Sequence, residues 1–159
     1  NSSYATATYQ PQVYYSSTYA NSGSYSIRLY GVAYTVLPPM TAPVDSLQIT
    51  FSRYTTSTSY GLQVGVLEND GTFVPVATFD SDPSSTHVEH TVYFNNYTGT
   101  SRTIAFYNYY INSTTGYSYI YIDDIFVDYL PTCSPVSHVE VSATVGAAVV
   151  SWNTGTMGE

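Results

Sequence analysis

The stretch Leu62-Gln63-Val64-Gly65-Val66-Leu67-Glu68-Asn69-Asp70-Gly71-Thr72-Phe73-Val74-Pro75-Val76 decides the fold class. Leu62, Val64 and Val66 alternate with small or polar residues, which is the period of a strand with one buried face. Asn69-Asp70-Gly71 supplies the turn chemistry of a hairpin, and β-favouring residues resume at Phe73. A helix would need apolar residues three and four apart, and no segment longer than about ten residues has that spacing.

The same alternation extends in both directions. Strands are predicted at Ser24 to Tyr30, Tyr34 to Leu37, Ser46 to Tyr54, Leu62 to Leu67, Phe73 to Phe79, His87 to Phe94, Arg102 to Tyr109 and Tyr117 to Tyr129. Pro38-Pro39, Asp82-Pro83, Thr98-Gly99 and Thr115-Gly116 break the ladder between them. Short strands at regular spacing without intervening helices indicate an all-β sandwich or barrel. Alternation also assigns faces. Leu47, Ile49 and Phe51, then Leu62, Val64 and Val66, then Val88, Val92 and Phe94, then Ile104 and Phe106 are the expected core. The opposite faces carry Gln48, Thr50, Ser52 and Tyr54, Gln63, Thr91 and Tyr93, and Tyr107 and Tyr109. That mixture is neither purely apolar nor charged, and it suits a planar, neutral ligand.

Composition narrows the function. The 159 residues allow one domain, or one domain plus a fragment. Only 9% of residues are charged, Lys is absent, and three arginines face eleven acids for a net charge of -8. A surface of that sign repels phosphate backbones and anionic lipid, so neither nucleic acid nor electrostatic membrane docking is expected. No run approaches the ~20 apolar residues of a membrane span, so no membrane insertion is expected, and a secretory leader would lie upstream of Asn1. Cys133 is the single cysteine, which excludes an internal disulfide and a thiolate metal cluster.

The pattern breaks at Leu130-Pro131-Thr132-Cys133-Ser134-Pro135. Beyond it Val139, Val141, Ala143 and Val145 alternate, Gly146 turns, and Ala148, Val150 and Trp152 alternate again, describing a hairpin with a buried Trp. Two strands bury too little apolar surface to fold alone. The expected organisation is therefore a β-sandwich over 1–130, a linker over 131–135 and the first strands of a second, truncated domain over 136–159.

Several runs carry a resemblance. Leu62 to Leu67, Gly71 to Val76, Phe94-Asn95-Asn96-Tyr97-Thr98-Gly99-Thr100, Ile104-Ala105-Phe106 and Tyr119-Ile120-Tyr121-Ile122-Asp123-Asp124-Ile125 occur together and in order. They resemble the jelly-roll, carbohydrate-binding-module-like domains of secreted multi-domain bacterial proteins, a group similar to MAM-like and cleaved-adhesin domains. The tail Pro135 to Trp152 resembles the first two strands of a fibronectin type III domain. The resemblance implies an antiparallel two-sheet β-sandwich of jelly-roll type, outside the cell or at its surface, tethered to further domains of its chain. Such domains usually begin with one more strand, upstream of a region like Asn1 to Ala20.

Two constellations stand out. Asp123-Asp124 interrupts an apolar strand, where an unpartnered carboxylate would be costly. The resemblance implies that an Asp of the last strand ligates a structural Ca²⁺; the alternative is an Asp capping backbone amides at a bulge. The 19 tyrosines are the second. A tyrosine ring stacks on the C–H face of a sugar and its hydroxyl hydrogen-bonds the sugar's own, so Tyr107, Tyr109, Tyr54 and Tyr93 are candidate ligand contacts. No nucleophile elbow, zinc-protease helix or phosphate loop is present, and His87 and His90 fall on opposite faces. The expected function is a non-catalytic module recognising a neutral glycan or host surface glycoprotein. The alternatives are a structural spacer without a ligand, or an accessory domain of a secreted glycoside hydrolase or peptidase.

Overall fold

The computed structural model describes residues 10–55, 59–81, 83–84, 86–111, 119–131, 137–144 and 146–153. The strands are β1 (Gln12–Tyr15), β2 (Tyr25–Tyr30), β3 (Ala33–Val36), β4 (Leu47–Thr55), β5 (Tyr60–Leu67), β6 (Phe73–Phe79), β7 (Val88–Tyr93), β8 (Ile104–Tyr110), β9 (Tyr119–Tyr129), β10 (Ser137–Thr144) and β11 (Ala147–Asn153). One 3₁₀ turn, Val44–Ser46, is the sole helical element among the described residues. All eight strands expected before residue 130 form, and β10 and β11 pair as an antiparallel hairpin. The linker residues 132–135 with Cys133, the Thr115-Gly116 turn, Asp82 and the side chain of Trp152 lie outside the described residues.

β1 is an addition to the sequence reading. Gln12-Val13-Tyr14-Tyr15 lacks apolar-polar alternation, and it becomes a strand by pairing with β2, Gln12 opposite Arg28 and Tyr15 opposite Tyr25. The result is a five-stranded sheet in the order β1-β2-β9-β4-β7 and a four-stranded sheet in the order β3-β8-β5-β6. Every pairing is antiparallel. From β2 to β9 the chain passes between these two sheets at every connection except β5–β6, which is the winding of a jelly roll.

The β5–β6 hairpin shows how local chemistry sets register. Gly71 sits at φ 88°, open to a residue without Cβ. The Gly71 N–H donates to the Glu68 carbonyl at 3.0 Å and the Glu68 N–H to the Thr72 carbonyl at 2.8 Å. Asp70 Oδ1 accepts the Thr72 N–H at 2.9 Å.

Between the sheets lie Leu29, Ile49, Phe51, Leu62, Val64, Val66, Val92, Phe94, Ile104, Phe106, Ile120 and Ile122, all buried. Phe51 of β4 meets Phe106 of β8 edge to face at 5.1 Å and Phe79 of β6 at 5.8 Å, so aromatic edges lock one sheet to the other. Each fully buried Phe, Leu or Ile contributes about 1.5–3 kcal/mol. Val88 departs from the expected core, being 40% exposed. Arg53, directly opposite on β4, fills that end of the interior instead: its guanidinium lies 5.5 Å over the Phe79 ring and donates to the Asp80 carbonyl.

Candidate functional site

Tyr107 and Tyr109 project from the outer face of the four-stranded sheet, because Ile104, Phe106 and Asn108 point inward and are buried. Register brings Tyr34 of β3 opposite Tyr107, Tyr107 opposite Gln63 of β5, and Gln63 opposite Thr78 of β6. Tyr34 and Tyr107 stack at 4.3 Å with planes 17° apart, and Phe73 meets both rings at 5.5 Å. Two glycines of β5 let rings lie across the sheet. A Cβ on Gly61 would fall 2.5 Å from Cζ of Tyr109, and one on Gly65 would fall 2.9 Å from Cζ of Phe73. Gly65 stands where the β5–β6 register slips, close against the Val74 carbonyl.

Polar groups punctuate this face. Gln63 Nε2 donates to Thr78 Oγ1 at 3.3 Å, and the Tyr109 hydroxyl donates to Asp80 Oδ1 at 2.7 Å. Burial, then the Asp80 carboxylate, pushes the Tyr109 phenol up to about 12. Burial and the adjacent Tyr107 hydroxyl raise Tyr34 as well. Both phenols therefore keep their protons through neutral pH, offering flat apolar surface with neutral hydrogen-bonding groups.

Tyr54 and Tyr93 do not join this face. They belong to β4 and β7 of the five-stranded sheet, so the four candidate tyrosines form no single platform. Tyr54 lies in a cluster on the outer face of its own sheet, where Tyr19 stacks on Tyr121 at 4.4 Å with planes 4° apart. Tyr14 and Tyr54 flank that stack at 5.7 and 6.0 Å from Tyr121, and Arg28 lies 4.2 Å over the Tyr14 ring. Tyr121 is only 4% exposed, because the segment between β1 and β2 folds over it. Tyr93 is 51% exposed, at the far edge of the sheet.

Asp123 and Asp124 hold that segment down. The β4–β9 register slips between Thr50 and Ser52, and Asp124 adopts φ 47°, a left-handed conformation that Asp tolerates better than most residues. Asp123 Oδ2 accepts the backbone N–H groups of Asn21 and Ser22 at 2.7 and 3.2 Å, and its Oδ1 accepts the Asp124 N–H at 2.8 Å. Asp124 accepts the Ser22 hydroxyl and, at 2.7 Å, the Asn21 side-chain amide; these bonds hold its pKa below the ordinary value. Calcium needs six to eight oxygen ligands. All four carboxylate oxygens here already accept N–H or O–H donors, and no group of three His, Cys, Asp or Glu is placed to hold a metal among the described residues. The pair fits a hydrogen-bonded latch at a bulge rather than a calcium cage. Beside it, His87 Nδ1 lies 3.1 Å from Ser52 Oγ, and burial lowers the imidazole pKa against the opposing pull of Asp123 and Asp124.

Sequence alternation turned Tyr107, Tyr109 and Gln63 outward but did not bring Tyr34 and Phe73 to them. Their membership follows from strand order, and the available signal was Gly61 and Gly65 inside a strand, which marks a close approach over the backbone.

No protein-family model matches the sequence, and no curated protein matches it either. Among solved structures, the chain is similar to a family 16 carbohydrate-binding module at 12% identity, over 76% of this chain and 86% of that one, with a TM-score of 0.49. It is also similar, at 15% identity and a TM-score of 0.46, to a protein solved with a xylogluco-oligosaccharide; 77% of this chain is covered, and it spans 36% of the other.

Proposed function

We propose that this chain is a non-catalytic carbohydrate-binding module that takes a neutral glycan on the outer face of its four-stranded sheet. One observation carries the reading: the Tyr34–Tyr107 stack, Phe73 and Tyr109 spread over two side-chain-free positions of β5, with Gln63 between them. Sugar C–H faces pack on such rings, and sugar hydroxyls find amide and phenol partners without any charge. The net charge of -8 favours neutral over anionic glycans. In this reading the module works outside the cell or at its surface, tethered to other domains, with β10–β11 as the opening strands of a fibronectin type III-like domain and the glycan either free or carried by a host surface glycoprotein.

Isothermal calorimetry against neutral oligosaccharides of glucose, xylose, mannose and galactose tests it. Replacing Tyr107 and Tyr109 together by Ala is expected to weaken binding roughly tenfold or more, the order lost when aromatic contacts of ~0.5–1.5 kcal/mol each disappear. The melting temperature should stay close to that of the parent, since neither ring is in the core. Unchanged affinity in the double variant removes this face as the site. A parent that binds none of the sugars favours the spacer reading.

A further inference from the structure

β6 and β7 are edge strands of opposite sheets, and the loop from β7 to β8 turns back along the side of the sandwich that they share. Tyr97 pins this loop. Its ring is 7% exposed, its hydroxyl donates to Glu68 Oε1 at 2.7 Å and accepts the Ser101 N–H at 3.0 Å, and its own N–H bonds the Phe94 carbonyl at 2.8 Å. Ser101 Oγ adds a 2.6 Å bond to the Leu67 carbonyl. Gly99 packs so closely on Tyr97 that a Cβ there would fall 2.3 Å from the hydroxyl. Between this loop and Val74–Val76 of β6 lies an open cleft of about 370 Å³, with the exposed Tyr93 ring on one side, the Glu68 carboxylate, and Asn96 and Thr98 at the rim. Sites for small ligands run from about 300 Å³ upward and combine apolar walls with a few fixed polar groups.

We propose that this cleft is a second binding site, for one end of a neutral glycan, with a sugar ring stacked on Tyr93 and its hydroxyls bonded to Glu68 and Asn96. The proposal rests on the reading of the chain as glycan-binding but shares no residue with the tyrosine face. The loop is held in place by Tyr97, so little ordering is left to oppose binding. A carboxylate accepts hydroxyl donors strongly and repels anions, which keeps the ligand class neutral.

The test is an amide-resolved NMR titration with glucose, galactose, mannose and xylose. Four proteins are compared: the parent, the Tyr107→Ala/Tyr109→Ala variant, Tyr93→Ala, and Glu68→Gln, which keeps an acceptor for Tyr97. Saturable shifts at Asn96, Thr98 and Gly99 are expected in the parent and, unchanged, in the double variant. Tyr93→Ala should weaken them roughly tenfold, about 1.4 kcal/mol by the standard conversion. Glu68→Gln should weaken them without unfolding the loop. Silence at these amides with all four sugars overturns the proposal, as do shifts that survive Tyr93→Ala undiminished. Response at the cleft with silence on β8 supports the cleft while overturning the reading of the tyrosine face, so the two fail separately.

Discussion

Gly61 has no side chain, and Tyr109 lies across the space that one would fill. A Cβ there would come within 2.5 Å of the ring's Cζ and 2.6 Å of its hydroxyl oxygen, so Gly61→Ala must swing the ring off the sheet and out of its bond to Asp80. Binding by calorimetry is expected to fall nearly as far as in a Tyr109→Ala variant, while chemical denaturation stays within about 1 kcal/mol of the parent. Tyr109→Phe makes the complementary cut: it keeps the ring over Gly61 and removes only the hydroxyl, whose hydrogen bond is worth about 0.5–1.5 kcal/mol. Retained binding in Tyr109→Phe with loss in Gly61→Ala assigns the effect to ring placement; the reverse pattern assigns it to the hydroxyl. The outward direction of Tyr109 was legible from alternation with Ile104 and Phe106. That Gly61 lies beneath it was not, because pairing of residues 48 positions apart is a property of the sheet.

The β1–β2 segment is held by bonds that titrate. Asp124 has a folded pKa below its ordinary value, so its contribution is present above the unfolded pKa and lost as pH falls through the folded one. His87 is also depressed, here by burial. Between its folded pKa and the unfolded value of 6.5 the unfolded chain binds the extra proton, so stability rises with pH across that window and falls on acidification. Melting temperature should therefore decline first below about pH 6.5 and again below about pH 4. A His87→Gln variant is expected to lose the upper step and keep the lower one; a profile identical to the parent would exclude His87 from it. Asp123→Ala removes the acceptor for the three backbone N–H groups of Asn21, Ser22 and Asp124 and should cost about 1–3 kcal/mol. The sequence singled out the Asp pair because carboxylates in an apolar strand need partners. It did not show that the partners lie on Asn21 and Ser22, about a hundred residues upstream, since no local pattern brings a β1–β2 connection to a bulge in β9.

At the scale of the molecule, the strands were legible because each has one face in a dry interior, and that face writes a period of two into the residues. The assignment of strands to sheets was not, which is why Tyr54 and Tyr93 were grouped with Tyr107 and Tyr109. An apolar face says only that it is covered, and β4 and β8 cover one another from opposite sheets through Phe51 and Phe106. Phe106→Ala should accordingly cost about 3–5 kcal/mol in denaturant unfolding, far more than any tyrosine of the outer face. Because the Asp pair is satisfied by donors of the chain itself, Ca²⁺ or EDTA is expected to leave the melting temperature unchanged; a rise of several degrees with Ca²⁺ would put an ion at the bulge. The charge distribution yields the last expectation. Each of the three arginines is engaged: Arg28 over Tyr14 and Tyr119, Arg53 inside the sandwich, and Arg102 on the Thr41 carbonyl. With eleven acids against three arginines, the field beyond the surface is set by the acids. A neutral glycan stacked on rings gains nothing from that field, whereas an anionic one must approach against it. Affinity for a neutral oligosaccharide should then be the same at about 0.05 M and 0.5 M salt, where the screening length shrinks roughly threefold. A sulfated or uronic analogue should bind measurably only at the higher salt, and tight low-salt binding of the anionic sugar would overturn this expectation.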